Sequence, residues 1–87
     1  MMFKKMRGLK MPYRKQGLIY FTCLNYNEAD EETQNKIELL CYECAKEYKK
    51  ALFELVTTSA SVTHIAQKYY ISERTLYRLR ERFYNSW

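Results

Sequence analysis

Glycine and proline are nearly absent from this chain of 87 residues, which contains two of the first and one of the second. These residue types form many of the tight turns in proteins, and a fold of many short strands needs a turn after almost every strand. Their shortage therefore argues against a multi-turn β fold. Glu, Lys, Leu, Ala, Gln and Arg are frequent, and all six are good helix formers. We expect an all-α protein of about four helices with short connections.

Long hydrophobic runs and paired cysteines are also missing. The longest apolar run, residues 17–24, is far shorter than the ~18 residues that a membrane span requires. The basic start of the chain only faintly imitates a signal peptide, because Pro12 interrupts it and no small-residue cleavage pattern follows. Three cysteines, an odd number, do not suggest a disulfide framework. We expect a cytoplasmic protein without a membrane partner.

The sequence contains no arrangement of residues typical of an enzyme or a metal site. It has no glycine-rich phosphate loop and no nucleophile with a paired base. Cys41 and Cys44 form a C-x-x-C, but zinc needs two further ligands, and only Cys23 and His64 remain as obvious candidates. Cys41 and Cys44 also fall on an apolar stripe, where cysteine is ordinarily a small buried hydrophobe. We predict a non-enzymatic protein with no cofactor and no metal.

The charges are segregated along the chain. The net charge is +6 over residues 1–16, −4 over residues 17–54 and +3 over residues 55–87. Two basic ends suit a protein that meets a polyanion, while the acidic middle suits a different contact. We expect residues 1–12 to form a flexible basic arm, and residues 13–87 to form one domain. The basic residues of the N-terminal run are Lys4, Lys5, Arg7, Lys10, Arg14 and Lys15.

Two helices are predicted in the first two thirds of the chain. Leu18, Phe21 and Leu24 recur at intervals of three, with Ile19 and Cys23 beside them, so residues 13–26 favour a helix. A strand is the alternative, because this segment is rich in β-forming residues. Residues 32–56 favour one long helix, because apolar residues advance along it by three or four positions. This length is unusual, and a break near residues 44–46 is the alternative. The apolar positions are Ile37, Cys41, Cys44, Tyr48, Leu52 and Leu55.

Residues 61–83 read as two helices joined by a tight corner, after a loop at residues 57–60. Ser61 and Ser72 are suitable N-caps, because a serine hydroxyl can accept a backbone N–H that the first helical turn leaves unpaired. In the second helix, Leu76, Leu79 and Phe83 form one apolar stripe. The opposite face carries Glu81 and the tyrosine and arginines Tyr77, Arg74, Arg78 and Arg82. Arg80 lies beside the stripe, where it packs along the core edge or pairs with an acid.

This layout resembles the helix-turn-helix of bacterial regulators. Their fixed apolar or small positions match Ile65, Ala66, Tyr69, Ile71, Leu76 and Leu79. Residues 51–66 also resemble the helix, loop and helix entry of the fourth conserved region of sigma factors. The resemblance covers about 35 residues at the C-terminal end. It departs from the family at Tyr70, which stands where the family usually has glycine, so a positive φ there would be strained.

The resemblance implies a sequence-specific transcriptional regulator that binds double-stranded DNA, of the small type encoded by phages and mobile elements. The second helix would then enter the major groove, with base contacts from Arg74, Tyr77 and Arg78, and with Ser72 and Glu73 at its N-terminal end. We expect Arg82 to meet phosphate, while Lys68 either contacts the DNA backbone or is exposed to solvent. The alternative for this face is a solvated charged surface.

Two other classes of function remain open. One is a DNA-packaging or recombination accessory protein, such as a small terminase subunit. The other is an interaction module that binds RNA polymerase through its acidic middle and does not touch DNA. RNA polymerase and a second copy of the chain, forming a homodimer, are further candidate partners.

Overall fold

A computed structural model describes Met6 and residues 9–87. This part of the chain is built from five α-helices, without a strand: α1 (Tyr13–Leu24), α2 (Glu31–Ala45), α3 (Lys49–Thr57), α4 (Val62–Tyr69) and α5 (Glu73–Ser86). Single 3₁₀ turns at Tyr26–Glu28 and Lys46–Tyr48 precede α2 and α3. The all-α class is confirmed, and the strand alternative for residues 13–26 is excluded. Helices α2 and α3 together occupy the place of the single long helix that was predicted. The five observed helices therefore correspond to the four that were expected.

Three helices begin at side-chain caps. Asp30 accepts a hydrogen bond from the backbone N–H of Thr33 at 2.8 Å, and this cap starts α2. Ser61 caps α4 and Ser72 caps α5, each at 3.1 Å. The caps form because the first turn of a helix leaves backbone N–H groups without intrahelical partners. Both predicted serine caps are confirmed.

The long helix breaks at Lys46, which has φ 51° and ψ −112°. The break and the 3₁₀ turn after it change the rotation of the chain, since a 3₁₀ helix has 3.0 residues per turn instead of 3.6. Tyr48 was predicted to face the core and is instead 39% exposed. The other five predicted positions are buried: Ile37, Cys41, Cys44, Leu52 and Leu55.

Helix α1 is rotated relative to the prediction. Its buried residues are Gln16, Ile19 and Cys23, whereas Leu18 is 65% exposed and Phe21 is 37% exposed. The fully buried amide of Gln16 explains this rotation. Its Nε2 donates to the Met11 carbonyl at 2.9 Å, and its Oε1 accepts from the Met6 backbone N–H at 3.0 Å. A buried amide is tolerated only when such bonds are made.

The two bonds of Gln16 fasten the N-terminal segment to the domain. Leu9 and Met11 lie in the core at 6% and 9% exposure. Leu9 and Met11 therefore pack with the domain, although they lie within residues 1–12, the predicted flexible arm. The basic residues Lys4, Lys5 and Arg7 of that predicted arm lie outside the described residues.

Helix α3 lies at the centre of the fold and contacts all four other α-helices. Leu52 is fully buried on it, and Ala51, Leu55 and Val56 are nearly so. Helix α5 packs against α2, α3 and α4, so its position is fixed from three sides. None of the described helices combines the length and hydrophobicity of a membrane-spanning segment.

Candidate nucleic-acid interface

Helices α4 and α5 are joined by a corner of three residues, Tyr70 to Ser72. Tyr70 closes α4 in the left-handed conformation, with φ 56° and ψ 43°. The backbone N–H groups of Tyr70 and Ile71 both bond the carbonyl of Ala66, the second at 3.0 Å. The Ala66 carbonyl, near the end of α4, thus receives the hydrogen bonds that a glycine C-cap usually provides. Tyr70 thus adopts a positive φ, which is strained for a bulky residue, and the residue is 96% exposed.

The corner and one face of each helix pack into the core. Ile65 and Leu76 are fully buried, while Tyr69 and Ile71 are half-buried against the core. On α5 the buried residues are Leu76, Leu79, Phe83 and Tyr84. The first three were predicted from their spacing. Tyr84 was missed because it follows Phe83 directly, so it lies outside the stripe formed by intervals of three and four.

The opposite face of α5 points away from the core. Arg74 and Arg78 are exposed, and Tyr77 is 47% exposed between them. At 100° per residue these three side chains fall within an arc of roughly 100°. The one salt bridge within the described part of the chain joins Lys68 and Glu54. Neither arginine is therefore neutralised by a carboxylate there.

Arg82 lies one turn beyond Arg78 and has a structural partner. Its guanidinium donates to the backbone carbonyl of Cys44 at 3.1 Å. That carbonyl belongs to the last turn of α2, where carbonyls lose their intrahelical partners and favour a positive charge. Arg82 thus ties α5 to the end of α2. The guanidinium has five donors, so this bond leaves others for a phosphate.

Among the residues that the structure describes, Lys68 forms an ion pair, unlike Arg74 and Arg78. Its ammonium lies 2.8 Å from a carboxylate oxygen of Glu54, and the Tyr69 hydroxyl donates to the same oxygen at 2.8 Å. The two hydrogen bonds hold the pKa of the Glu54 carboxyl below its ordinary value. The bond to Glu54 likewise raises the pKa of the Lys68 ammonium. Lys68 is therefore oriented towards α3, although its side chain is 51% exposed.

Ser72 caps α5 through its side chain. Its hydroxyl oxygen accepts the Thr75 backbone N–H, and the hydroxyl donates to the Thr75 side-chain oxygen at 2.8 Å. Glu73 follows in the first turn of α5, where its charge is favourable at the positive end of the helix dipole. It is exposed at the end of α5 nearest the corner.

Two further basic residues adjoin this face. The guanidinium of Arg80 stacks over the Tyr77 ring, 5.3 Å from its centroid, and burial lowers the pKa of the guanidinium. Arg80 thus packs along the core edge, one of its two predicted positions. Lys46 shares with Arg78 and Arg82 a groove of about 310 Å³ between the end of α2 and α5. Sequence spacing did not suggest Lys46, because its position depends on the break in the long helix.

The cysteines are packed in the core. Cys23, Cys41 and Cys44 are all free thiols and buried. Burial raises the pKa of the Cys41 and Cys23 thiols to about 12. Metal binding and thiol reactivity both need the thiolate, which these sites disfavour. The predicted packing role of Cys41 and Cys44 is confirmed, and the described residues hold no cluster of three metal-ligating side chains.

The face formed by Arg74, Tyr77 and Arg78, with Arg82 beyond it, is the candidate site, and we call it the α5 arginine face. On this exposed face of α5, planar guanidinium groups that can donate hydrogen bonds lie on either side of Tyr77 along the helix. Comparisons of the chain with models of known protein families, with curated proteins and with solved structures found no match.

Proposed function

We propose that this protein is a sequence-specific DNA-binding transcriptional regulator that acts through a helix-turn-helix formed by α4 and α5. The observation that carries the proposal is the α5 arginine face. It is an exposed row of basic and aromatic side chains on a helix that is anchored from its opposite side.

The dimensions of α5 suit the major groove of DNA. The groove is about 12 Å wide and admits one α-helix. With 14 residues, α5 is about 21 Å long. Arg74 and Arg78 are separated by roughly 6 Å along the helix, which is close to two base-pair steps of about 3.4 Å. Each arginine can therefore address a different base pair.

Recognition would combine two kinds of contact. Arg74 and Arg78 would bond guanine O6 and N7 through two guanidinium donors each, while Tyr77 would reach a thymine methyl or a phosphate. Glu73 would accept from a cytosine N4 group. Arg82 would position the domain on the phosphate backbone, as a contact without sequence preference. Lys68 is a weaker candidate for this role, because Glu54 already binds its ammonium.

The resemblance to the fourth conserved region of sigma factors supports the class of regulator. On this proposal the protein acts in the cytoplasm and belongs to the small type encoded by phages and mobile elements. RNA polymerase and a second copy of the chain are the further partners that this class would use.

The test selects bound duplexes from a random pool and measures affinity for the selected site by fluorescence anisotropy. Removing two bidentate contacts, at ~1–3 kcal/mol each, should weaken binding by at least about 30-fold. The variant is Arg74→Ala with Arg78→Ala. The matched control, Lys49→Met with Lys50→Met, removes two positive charges outside α4 and α5, and should change affinity less than about threefold.

Four results would replace the proposal. Equal losses in the two double variants would mean that net charge alone binds DNA. Absence of binding at about 50 mM salt, or no effect of the arginine variant, would favour a protein-interaction module. A large ring in solution, measured by mass, would favour a DNA-packaging accessory protein.

A further inference from the structure

A second surface shares no residue with the α5 arginine face. It is a cleft of about 480 Å³ between the first half of the chain and the α3–α4 region. We call it the aromatic cleft. Its rings come from four different elements, and its lining includes Tyr26, Tyr42, Phe53, Tyr69, Cys41, Lys49 and Lys50. A volume of this size falls in the range of small-molecule sites.

The aromatic walls are held in place by contacts within the protein. Tyr26 and Phe53 pack edge to face, with ring centroids 4.9 Å apart. The Tyr26 hydroxyl donates to the Glu38 carboxylate, and its backbone carbonyl accepts from the side chain of Gln34 at 2.7 Å. Restrained rings of this kind lose little freedom when a flat ligand packs against them.

The acidic side chains of the aromatic cleft have hydrogen-bond donors, whereas its lysines have no carboxylate partner among the described residues. Glu38 accepts from Tyr26, and Glu54 is bonded by Lys68 and by Tyr69. Both acidic side chains of the lining therefore have donors. Lys49 and Lys50 have no carboxylate within 4.0 Å among the described residues. The Lys49 ammonium lies instead over the Tyr42 ring, 5.5 Å from its centroid.

We propose that the aromatic cleft binds a small aromatic carboxylate of one or two rings. Its ring packs against Tyr42 and Phe53, and its carboxylate takes the ammonium groups of Lys49 and Lys50. The lining has two lysines and two glutamates, Glu38 and Glu54. Lys68, which lies outside the lining, pairs with Glu54. These five side chains together carry an excess of one positive charge, which favours a monoanion. This assignment does not rest on DNA binding, since none of its residues belongs to the α5 arginine face.

The test uses 2-naphthoate as the probe and 2-naphthamide as its neutral analogue of nearly the same shape. Amide chemical shifts of the full chain are followed by NMR while each compound is added. A ligand of this size should bind with a Kd of about 1 mM or tighter. Because two exposed lysines each add a modest attraction, the carboxylate should bind about three- to tenfold more tightly than the amide.

The variant Lys49→Met with Lys50→Met should lower the affinity for 2-naphthoate to that for 2-naphthamide. Both substitutions keep a good helix former on an exposed position, so the fold is retained. The variant Arg74→Ala with Arg78→Ala should bind 2-naphthoate as the wild type does. That result separates this proposal from DNA binding, which the same arginine variant should impair.

The proposal is overturned by several outcomes. These are the absence of saturable shifts up to about 10 mM, shifts centred outside the aromatic cleft, and equal affinity for the carboxylate and the amide. Preference for the acidic peptide acetyl-Asp-Phe-Asp-amide over 2-naphthoate would also overturn it, because the occupant would then be a segment of a partner protein.

Discussion

Replacing Tyr70 by glycine should stabilise the protein. Tyr70 has φ 56° and ψ 43°, the left-handed conformation, in which its β-carbon crowds the backbone. Its side chain is 96% exposed, so the substitution removes almost no packing. Glycine adopts the same conformation without this crowding, and the corner keeps its hydrogen bonds to Ala66.

The magnitude follows from two opposing terms. The left-handed conformation costs roughly 1–2 kcal/mol for a residue with a β-carbon. Glycine loses more backbone freedom on folding, at a cost of roughly 0.5–1 kcal/mol. The variant Tyr70→Gly should therefore raise the free energy of unfolding by about 0.5–1 kcal/mol. For a domain of this size the melting temperature should rise by roughly 2–8 °C.

Thermal and urea unfolding, followed by circular dichroism, measure this change. Tyr70→Ala is the first control, because it removes the ring but keeps the β-carbon and the crowding. Its stability should stay within about 0.5 kcal/mol of the wild type. Tyr77 supplies the second control inside α5, where Tyr77→Gly should be about 1 kcal/mol less stable than Tyr77→Ala. The reasoning is refuted if Tyr70→Gly is no more stable than Tyr70→Ala.

Three further predictions concern the cap of α5, the bonds of Glu54 and the contacts of Arg82. Ser72→Ala removes the cap of α5 and should lower the free energy of unfolding, measured with urea, by about 1 kcal/mol. Ser72→Asp keeps a capping side chain, so it should leave the free energy of unfolding unchanged. The pKa of the Glu54 carboxyl is lower in the folded protein than its ordinary value of 4.5. Its bonds therefore contribute their full stability above pH 4.5. This contribution is lost as the pH falls through the lowered pKa of the folded state. Glu54→Gln should therefore flatten the fall of the melting temperature between neutral and acid pH. On the proposed DNA binding, Arg82→Met should reduce the slope of log affinity for DNA against log salt by about 1, without changing the preferred sequence.

Each of these three has an outcome that contradicts it. Equal stability of Ser72→Ala and Ser72→Asp would show that the cap does not support α5. An unchanged acid-side slope in Glu54→Gln would mean that other carboxyl groups govern the pH dependence. A changed base preference in Arg82→Met would place this side chain on a base instead of a phosphate.

Features set by residues close in sequence were predictable. The caps at Ser61 and Ser72 each join residues three positions apart, so a short motif contains the whole interaction. The buried face of α5 follows the spacing of Leu76, Leu79 and Phe83, because helical geometry fixes which side chains share a face. The exposure of Arg74 and Arg78 follows from the same spacing. Their contact with DNA remains a proposal.

Tertiary structure decided the features that depend on distant partners. Gln16 is buried in place of Leu18 because an N-terminal segment supplies bonds to its amide. Lys68 turns towards α3 because Glu54, 14 residues earlier in the chain, reaches its ammonium. Arg82 bonds a carbonyl 38 residues away. The sequence by itself determined the serine caps of α4 and α5 and the apolar face of α5, since those depend on local hydrogen bonds and periodicity. Only packing determined the rotation of α1, the partners of the charged side chains and the rings that line the aromatic cleft, since these depend on groups brought together by folding.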